Sequence, residues 1–308
     1  MKMKNMNNMK YDLIIIGGGP AGLTAAIYAA RYKLKVKLYS KTMGGLASTA
    51  YMICNYPSYI EIKGFELMQK MIKQVENLGV EIVYDEIESI ENKKEFFILK
   101  SNSEVIETKK IIIATGTERV RLNIPGEGKF YGKGVSYCAT CDAPFYKNKT
   151  AVVIGGGDAA LTSAILLTEY AKKVYLIYRR EKFFRAEPAW IDIVEKNKKI
   201  EIIFKEEITE IFGDQNVEGV TLKSGKKLKS DGVFIETGSI PEKKLTGMLG
   251  IKLDESGYII TDRDQKTNVK GVFAAGDITN NSLKQIVTAT GEGAVAAFNA
   301  YKEVKKND

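Results

Sequence analysis

Two stretches of this chain share one pattern, and that pattern decides most of what the chain can fold into. The first begins with an apolar strand, Tyr11 to Ile16, and turns through Gly17-Gly18-Gly19-Pro20-Ala21-Gly22. A helical pattern follows from Leu23 to about Lys33, and then a second apolar strand, Leu34 to Tyr39. Strand, glycine turn, helix and strand make a βαβ unit, and G-x-G-x-x-G at its first turn is a dinucleotide-binding fingerprint. Gly17 permits the tight turn, Gly19 lets the backbone approach a pyrophosphate, and Gly22 lets the helix pack closely on the strand. The N–H groups of the helix start then face the phosphates, with the helix dipole favouring their charge. The pattern restarts about 140 residues later, so the chain carries it twice. There an apolar run, Thr150 to Ile154, leads into Gly155-Gly156-Gly157-Asp158-Ala159-Ala160, a helix to about Tyr170, and a strand, Val174 to Tyr178.

The two units differ after their second strands. An NAD site places a carboxylate there for the ribose hydroxyls. The first unit instead reads Tyr39-Ser40-Lys41, where the Ser40 hydroxyl can bond a ribose. The second places Arg179 and Arg180 at that slot, with Arg185 close behind. Guanidinium groups there accommodate a 2′-phosphate by charge and paired hydrogen bonds.

The rest of the chain reads as small sheets and connecting helices. Gly44-Gly45-Leu46 is a further backbone-exposing turn, and Pro57 biases Tyr56 toward extended backbone in the turn Asn55-Tyr56-Pro57. Helical spacing predicts a helix from Gly64 to Leu78. Val80 to Tyr84, Glu95 to Lys100 and Val105 to Glu107 predict a small antiparallel insertion. Lys110 to Ala114 reads as a buried parallel strand stopped by Thr115-Gly116-Thr117. Ile200 to Phe212, Val217 to Leu222 and Lys226 to Ile235 predict a second antiparallel sheet. Short strands are expected at Gly257 to Ile260 and at Gly271 to Ala275, the latter ending in Gly276-Asp277. A closing helix carries Gln285, Gly291, Gly293, Ala294, Ala296 and Ala297. The fold class is therefore α/β, with two Rossmann-like, three-layer (ββα) dinucleotide-binding domains. Short crossings are expected near Gly116 and Gly238.

At mid-chain stands Cys138-Ala139-Thr140-Cys141, followed by Asp142. C-x-x-C spacing puts two thiols within disulfide reach, and neighbours can activate one thiolate. A zinc site needs four ligands, and this chain has no histidine and only one other cysteine, Cys54. No metal site is expected, and Cys54 reads as a small buried apolar residue. Two nucleotide folds and a dithiol form an electron relay. Nicotinamide gives up two electrons as a hydride, a dithiol holds two, and a flavin is the usual adapter between them. Asp142 stands where a carboxylic acid would supply a proton to a thiolate. A flavoprotein binding module with a silent dithiol is the reading from another class.

Composition bounds the setting. The chain has 308 residues and 44% hydrophobic content, enough for one large or two medium domains. A net charge of +8 favours acidic proteins or nucleotides as partners. The lysine-bearing ends, Met1 to Lys10 and Lys302 to Asp308, read as frayed. The start has no long apolar run and is not a secretory signal. No run of apolar residues is long enough to span a membrane. Three cysteines fit a reducing cytosol, so a cytoplasmic location is expected.

Together these segments resemble the low-molecular-weight thioredoxin reductases of bacteria and archaea, within the pyridine nucleotide-disulfide oxidoreductases. The matching stretches are Gly17 to Gly22, Asn55 to Pro57, Ala114 to Glu118, Gly134 to Asp142, Gly155 to Ala160, and GVFAAGD at Gly271 to Asp277 with Gln285. The resemblance implies a homodimeric enzyme that binds FAD, takes electrons from NADPH and reduces a thioredoxin-like protein, with no nucleic-acid or membrane partner. NADH or ferredoxin would be the alternative donor. FAD would be held by residues 1–116 and 245–308, through Gly17, Gly19, Pro20, Ala21, Gly22, Ser40, Lys41, Gly44, Gly45, Leu46, Asn55, Ile87, Thr115, Gly116, Gly276, Asp277, Gln285 and Ile286. Residues 117–244, a second domain inserted in the first, would hold the nicotinamide nucleotide, through Gly155, Gly157, Asp158, Ala159, Ala160, Arg179, Arg180 and Arg185. By the same resemblance Cys141 would contact the flavin, Cys138 would attack the thioredoxin disulfide, and Asp142 would be the acid. The chain departs from the family pattern at Tyr178, where a histidine is usual. It departs again at Leu46, where a glutamine is usual, and at Arg185, which falls one residue late.

Overall fold

A computed structural model describes residues 10–306 of the chain. The residues before these, and residues 307 and 308, lie outside it, and with them most of the N-terminal lysine-bearing segment. The chain divides into two compact units. One takes the described residues up to Ser48, residues 53–118 and the chain from Ile240 onward; the other takes Thr49–Met52 and Arg119–Ser239.

The first unit opens as expected, with β1 (Lys10–Gly18), α1 (Pro20–Arg31) and β2 (Val36–Met43). Leu13 to Ile16 are buried along their whole length, as a parallel strand covered on both faces must be. Then come α2 (Gly64–Asn77), β3 (Glu81–Val83), β4 (Ile87–Asn92), β5 (Phe97–Ser101) and β6 (Val105–Ile113). Helix α2 buries Leu67, Met68, Met71, Ile72 and Val75, one stripe at helical spacing.

The antiparallel insertion differs from its expected form. β3 pairs parallel with β2 and belongs to the main sheet. β4, whose two isoleucines, Ile87 and Ile90, stand three apart and so break the period of two, pairs antiparallel with β5 across a register shift between Ile87 and Ser89. The two segments expected at 105–107 and 110–114 are one strand. Its first half pairs antiparallel with β5, and its second half pairs parallel with β1 and with the later strand β17 (Val272–Ala274).

After β7 (Thr117–Arg119) the second unit runs through β8 (Val135–Ser136), α3 (Ala139–Asp142), β9 (Thr150–Ile154), α4 (Asp158–Tyr170), β10 (Lys173–Tyr178) and α5 (Pro188–Lys196). It continues as β11 (Ile200–Phe204), β12 (Ile208–Phe212), β13 (Gly219–Leu222), β14 (Lys227–Lys229) and β15 (Gly232–Ile235). Its main sheet is parallel, in the order β11-β10-β9-β15-β8. Only β12, β13 and β14 form the expected antiparallel sheet. The flanking segments, 200–204 and 232–235, join the parallel sheet instead. All of β15 is buried, so it serves both of this unit's apolar clusters, Phe234 on one face and Val233 with Ile235 on the other.

The chain returns through β16 (Ser239–Pro241), which pairs with β7, then α6 (Lys244–Leu249), β17 (Val272–Ala274) and α7 (Ile286–Lys305). The strand expected at 257–260 is reduced to isolated bridges at Ile259. Lys302 to Lys305 are helical rather than frayed. Val304 is buried there, and Glu303 pairs with Lys110 at 2.9 Å. Gly293 lets α7 approach α1, because a Cβ at that position would lie 2.1 Å from the Ala21 carbonyl oxygen.

Candidate functional site

The first glycine turn joins β1 to α1. Gly17 has φ +114°, and a Cβ there would lie 2.1 Å from the Ala114 carbonyl oxygen. A Cβ on Gly22 would lie 1.8 Å from the Gly17 carbonyl oxygen, so only glycine fits where helix meets strand. Gly19 is different. A Cβ there would meet no protein atom within 4 Å, so its missing side chain leaves open space at the helix start. No side chain caps α1, and its first N–H groups remain available to an anion.

Around this turn the structure gathers many of the predicted residues. Ser40 Oγ accepts from Gly18 N at 2.9 Å and donates to the Thr42 carbonyl at 2.7 Å, so its one proton is committed to holding the turn. The exposed Lys41 pairs with Glu86 at 2.6 Å. Gly44 and Gly45 both have positive φ, and a Cβ on Gly45 would sit 3.4 Å from the Gly19 Cα. Leu46 is exposed in the 3₁₀ turn Gly45–Thr49. Asn55 Nδ2 donates to Gln285 Oε1 at 3.2 Å. Gln285 caps α7 in a reciprocal box with Thr288, rather than lying inside the helix, and Ile286 is the first helical residue. Ile87 stands apart. Its side chain is 1% exposed in the hydrophobic core, so only its backbone could face a ligand. Thr115 Oγ1 is buried without a hydrogen-bond partner, next to Gly116 at φ +69°. Burial raises the Asp277 carboxyl above its ordinary range, with Lys284 opposing and Glu292 adding to the shift.

The second turn repeats this geometry with other supports. A Cβ on Gly155 would lie 2.2 Å from the Glu236 carbonyl oxygen, whereas Gly157 again faces open space. Ala160, at the slot of Gly22, lies close to Gly155, with 2.9 Å from its Cβ to a Cβ built there. Asp158 starts α4, followed by Ala159, and accepts from Glu187 N at 2.7 Å, tying a loop to the helix start. Tyr178 covers Gly156, where a Cβ would lie 2.4 Å from its ring, and stacks on Phe183 at 5.7 Å. Arg179, Arg180 and Arg185 are exposed. The guanidinium carbons of Arg180 and Arg185 lie 4.1 and 5.4 Å from the centre of the Phe184 ring. The extra residue ahead of Arg185 thus leaves it on the same aromatic platform as Arg180.

Cys138 and Cys141 are joined as a disulfide, with Cα atoms 5.3 Å apart. Cys138 caps α3, and Cys141 N donates to its sulfur at 3.2 Å. A backbone N–H aimed at sulfur favours negative charge there. Cys138 is half-buried, Cys141 exposed and Asp142 half-buried. Once reduced to a dithiol, a pair of this kind, in the same unit as a dinucleotide turn, can exchange with a substrate disulfide.

The family model for pyridine nucleotide-disulphide oxidoreductases matches residues 11–293. The chain belongs to this family. Thioredoxin reductase of Listeria innocua is 42% identical over 303 residues, covering 96% of this chain and 94% of the relative. The solved structure of Lactococcus lactis thioredoxin reductase matches at TM-score 0.92 and 40% identity, covering 96% of this chain and 99% of that one. That of T. acidophilum thioredoxin reductase matches at 0.90 and 38%, covering 96% and 98%.

Pyridine nucleotide-disulphide oxidoreductases of the thioredoxin reductase type work with FAD and a nicotinamide nucleotide, and the residues present fit both. The open space at Gly19 and Gly157, the uncapped α1 and the orphaned Thr115 hydroxyl are what such groups require. In this oxidoreductase several supporting residues carry no motif. Glu292 on α7, buried, accepts from Gly276 N at 2.6 Å, from Thr279 Oγ1 at 3.1 Å and from Asn281 Nδ2, fixing the Gly276-Asp277 loop. Glu127, also buried, accepts from Leu122 N, Asn123 N and the Tyr137 hydroxyl, one residue ahead of Cys138. A glutamate set among the small residues of α7 is the one sign the sequence carries for Glu292.

Cys54 corrects an expectation. It is exposed, because Ile53 pairs with Ile62 and points inward, so the next residue points out.

Proposed function

We propose that the chain is a thioredoxin-disulfide reductase that takes electrons from NADPH. The first unit holds FAD, through the turn at Gly17 to Gly22, Gly44-Gly45, Thr115-Gly116 and Gly276-Asp277. The second unit holds NADPH, with Arg179, Arg180 and Arg185 on the 2′-phosphate. The observation that carries this reading is the Cys138–Cys141 disulfide in the same unit as the second glycine turn. A bound flavin would pass two electrons from nicotinamide to that disulfide.

The chain's own residues then do the exchange. The Cys138 thiolate attacks one sulfur of the substrate disulfide, forming a mixed disulfide and expelling a substrate thiolate. The Cys141 thiolate, having given up its proton, attacks Cys138, which frees the second substrate thiolate and restores the Cys138–Cys141 bond. The two protons that the substrate gains come from the Cys141 thiol and from Asp142, which holds the proton that Cys138 gives up on becoming a thiolate. The N–H of Cys141 supports charge on the Cys138 sulfur. The substrate is a thioredoxin-like protein, which the basic chain attracts if that protein is acidic. The enzyme works in the cytoplasm as a homodimer, which would cover exposed apolar residues of α1 and α7 such as Tyr28, Val295 and Phe298.

The test compares donors anaerobically on the FAD-loaded protein. NADPH should bleach the flavin faster than NADH, and thioredoxin disulfide should then be reduced. Bleaching by reduced ferredoxin alone would overturn the donor, and a bleached protein that leaves thioredoxin oxidised would overturn the substrate.

A further inference from the structure

Within the second unit a continuous row of polar contacts links the nucleotide-turn helix to the dithiol. Ser163 on α4 donates from Oγ to Glu236 Oε1 at 3.1 Å. Arg119 pairs through Nη1 with the other carboxylate oxygen of Glu236, whose side chain is 4% exposed. The same guanidinium reaches Thr49 Oγ1 through Nη2 at 3.1 Å. Thr140, between the two cysteines, donates from Oγ1 to the Thr49 carbonyl at 2.7 Å. Glu236 also presents its carbonyl to Gly155. A buried carboxylate that engages a hydroxyl and a guanidinium is held in one orientation, and the planar fork of Arg119 carries that orientation to two chain segments at once.

We propose that Arg119 is a positioning residue for the dithiol: by bridging Glu236 to Thr49 it holds Thr140, and with it α3, in the disulfide form. The inference rests on the Cys138/Cys141 pair being redox-active. The strut favours the disulfide because the disulfide is the state in which these contacts are seen. Loosening it shifts the thiol–disulfide equilibrium without removing either sulfur. Lysine at position 119 keeps the charge against Glu236 but has one ammonium in place of a fork, so it cannot also serve Thr49. Arg119→Lys therefore breaks the strut while leaving no buried charge unpaired.

FAD-loaded full-length protein is equilibrated in dithiothreitol redox buffers, alkylated, and its dithiol fraction read by mass. Arg119→Lys and Thr140→Val should each raise the dithiol-to-disulfide ratio about fivefold at fixed poise, the effect of one lost hydrogen bond. The double variant should shift no further than the larger single one, because both cut the same connection. An unshifted Arg119→Lys, or fully additive shifts, would overturn the strut. A wild-type pair that never cycles between the two forms would instead overturn the redox reading on which it rests. Melting temperatures measured alongside separate the two roles: a lowered melting point with an unshifted ratio marks Arg119 as merely structural and also refutes the inference.

Discussion

Replacing Arg180 by alanine tests the nucleotide assignment most directly. Its guanidinium carbon sits 4.1 Å from the centre of the Phe184 ring, and Arg185 shares that ring at 5.4 Å. Neither is in an ion pair among the described residues, and the nearby Glu181 is turned to Lys205. The charge of Arg180 is therefore available to a ligand. A charge-assisted hydrogen bond contributes about 1.5–3 kcal/mol. Arg180 is exposed, so solvent and salt screen the contact and the lower figure applies. About 1.5 kcal/mol corresponds to roughly a tenfold rise in KM for NADPH. NADH carries no 2′-phosphate, and its KM should change by less than about twofold, since no contact to that phosphate exists to be lost. Arg180→Lys should fall between, because it keeps the charge without the planar fork. Phe184→Ala should raise the NADPH KM as well, by releasing both guanidiniums from the ring that orients them. The assay is steady-state reduction of thioredoxin with each cofactor, at low and high ionic strength. An equal rise for both cofactors, or a NADPH effect indifferent to salt, would refute the 2′-phosphate role.

The remaining predictions concern the other parts of the machinery. Cys141→Ser should trap thioredoxin as a mixed disulfide through Cys138, visible on a non-reducing gel; trapping by Cys138→Ser alone would give the attack to the exposed Cys141. Gly19→Ala should fold with an unchanged melting point without FAD yet bind FAD more weakly, because its Cβ meets only the open space. Gly22→Ala should lower the melting point itself, because its Cβ collides with the Gly17 carbonyl; equal behaviour of the two variants would sink this contrast. Burial pushes the Glu236 carboxyl above its ordinary 4.5, against the opposing pull of Arg119, so the folded chain holds this proton more tightly than the unfolded one. Stability of the wild type relative to Glu236→Gln should then be greatest below pH 4.5 and fall as pH rises through the folded value, and melts showing a flat or rising difference would refute it.

Much of the fold was legible because glycine and β-branched residues constrain the backbone locally. Both turns follow from glycines at which a Cβ would strike backbone, Gly17 and Gly22 in the first and Gly155 in the second. The second antiparallel sheet was over-read for a different reason. Ile200 to Phe204 and Gly232 to Ile235 carry apolar residues that suit either sheet; burial on both faces assigns Gly232 to Ile235 to the parallel one, whereas Ile200 to Phe204, a half-buried edge strand, joins it only through its pairing with β10. Helix α5 carries little signal because it buries little beyond Val194, and β4 because Ile87 and Ile90 lie three apart, so that only a register shift lets both be buried.

The site divides along the same line. Residues that would touch a ligand sit in motifs, because a phosphate or a disulfide dictates residue type at fixed spacing. Residues that hold those motifs in place do not, because any group with the right reach can do the holding. The first turn is braced by the Ser40 hydroxyl, while the Gly276-Asp277 loop beside it is braced by a glutamate 16 residues along the chain from Gly276. The second turn is braced by the Tyr178 ring and by Glu236. Equivalent backbone geometry thus rests on unlike chemistry. It follows that Ser40, Tyr178, Glu236 and Glu292 are where two such chains can diverge in stability and pH response while keeping the same glycines and the same pair of sulfurs.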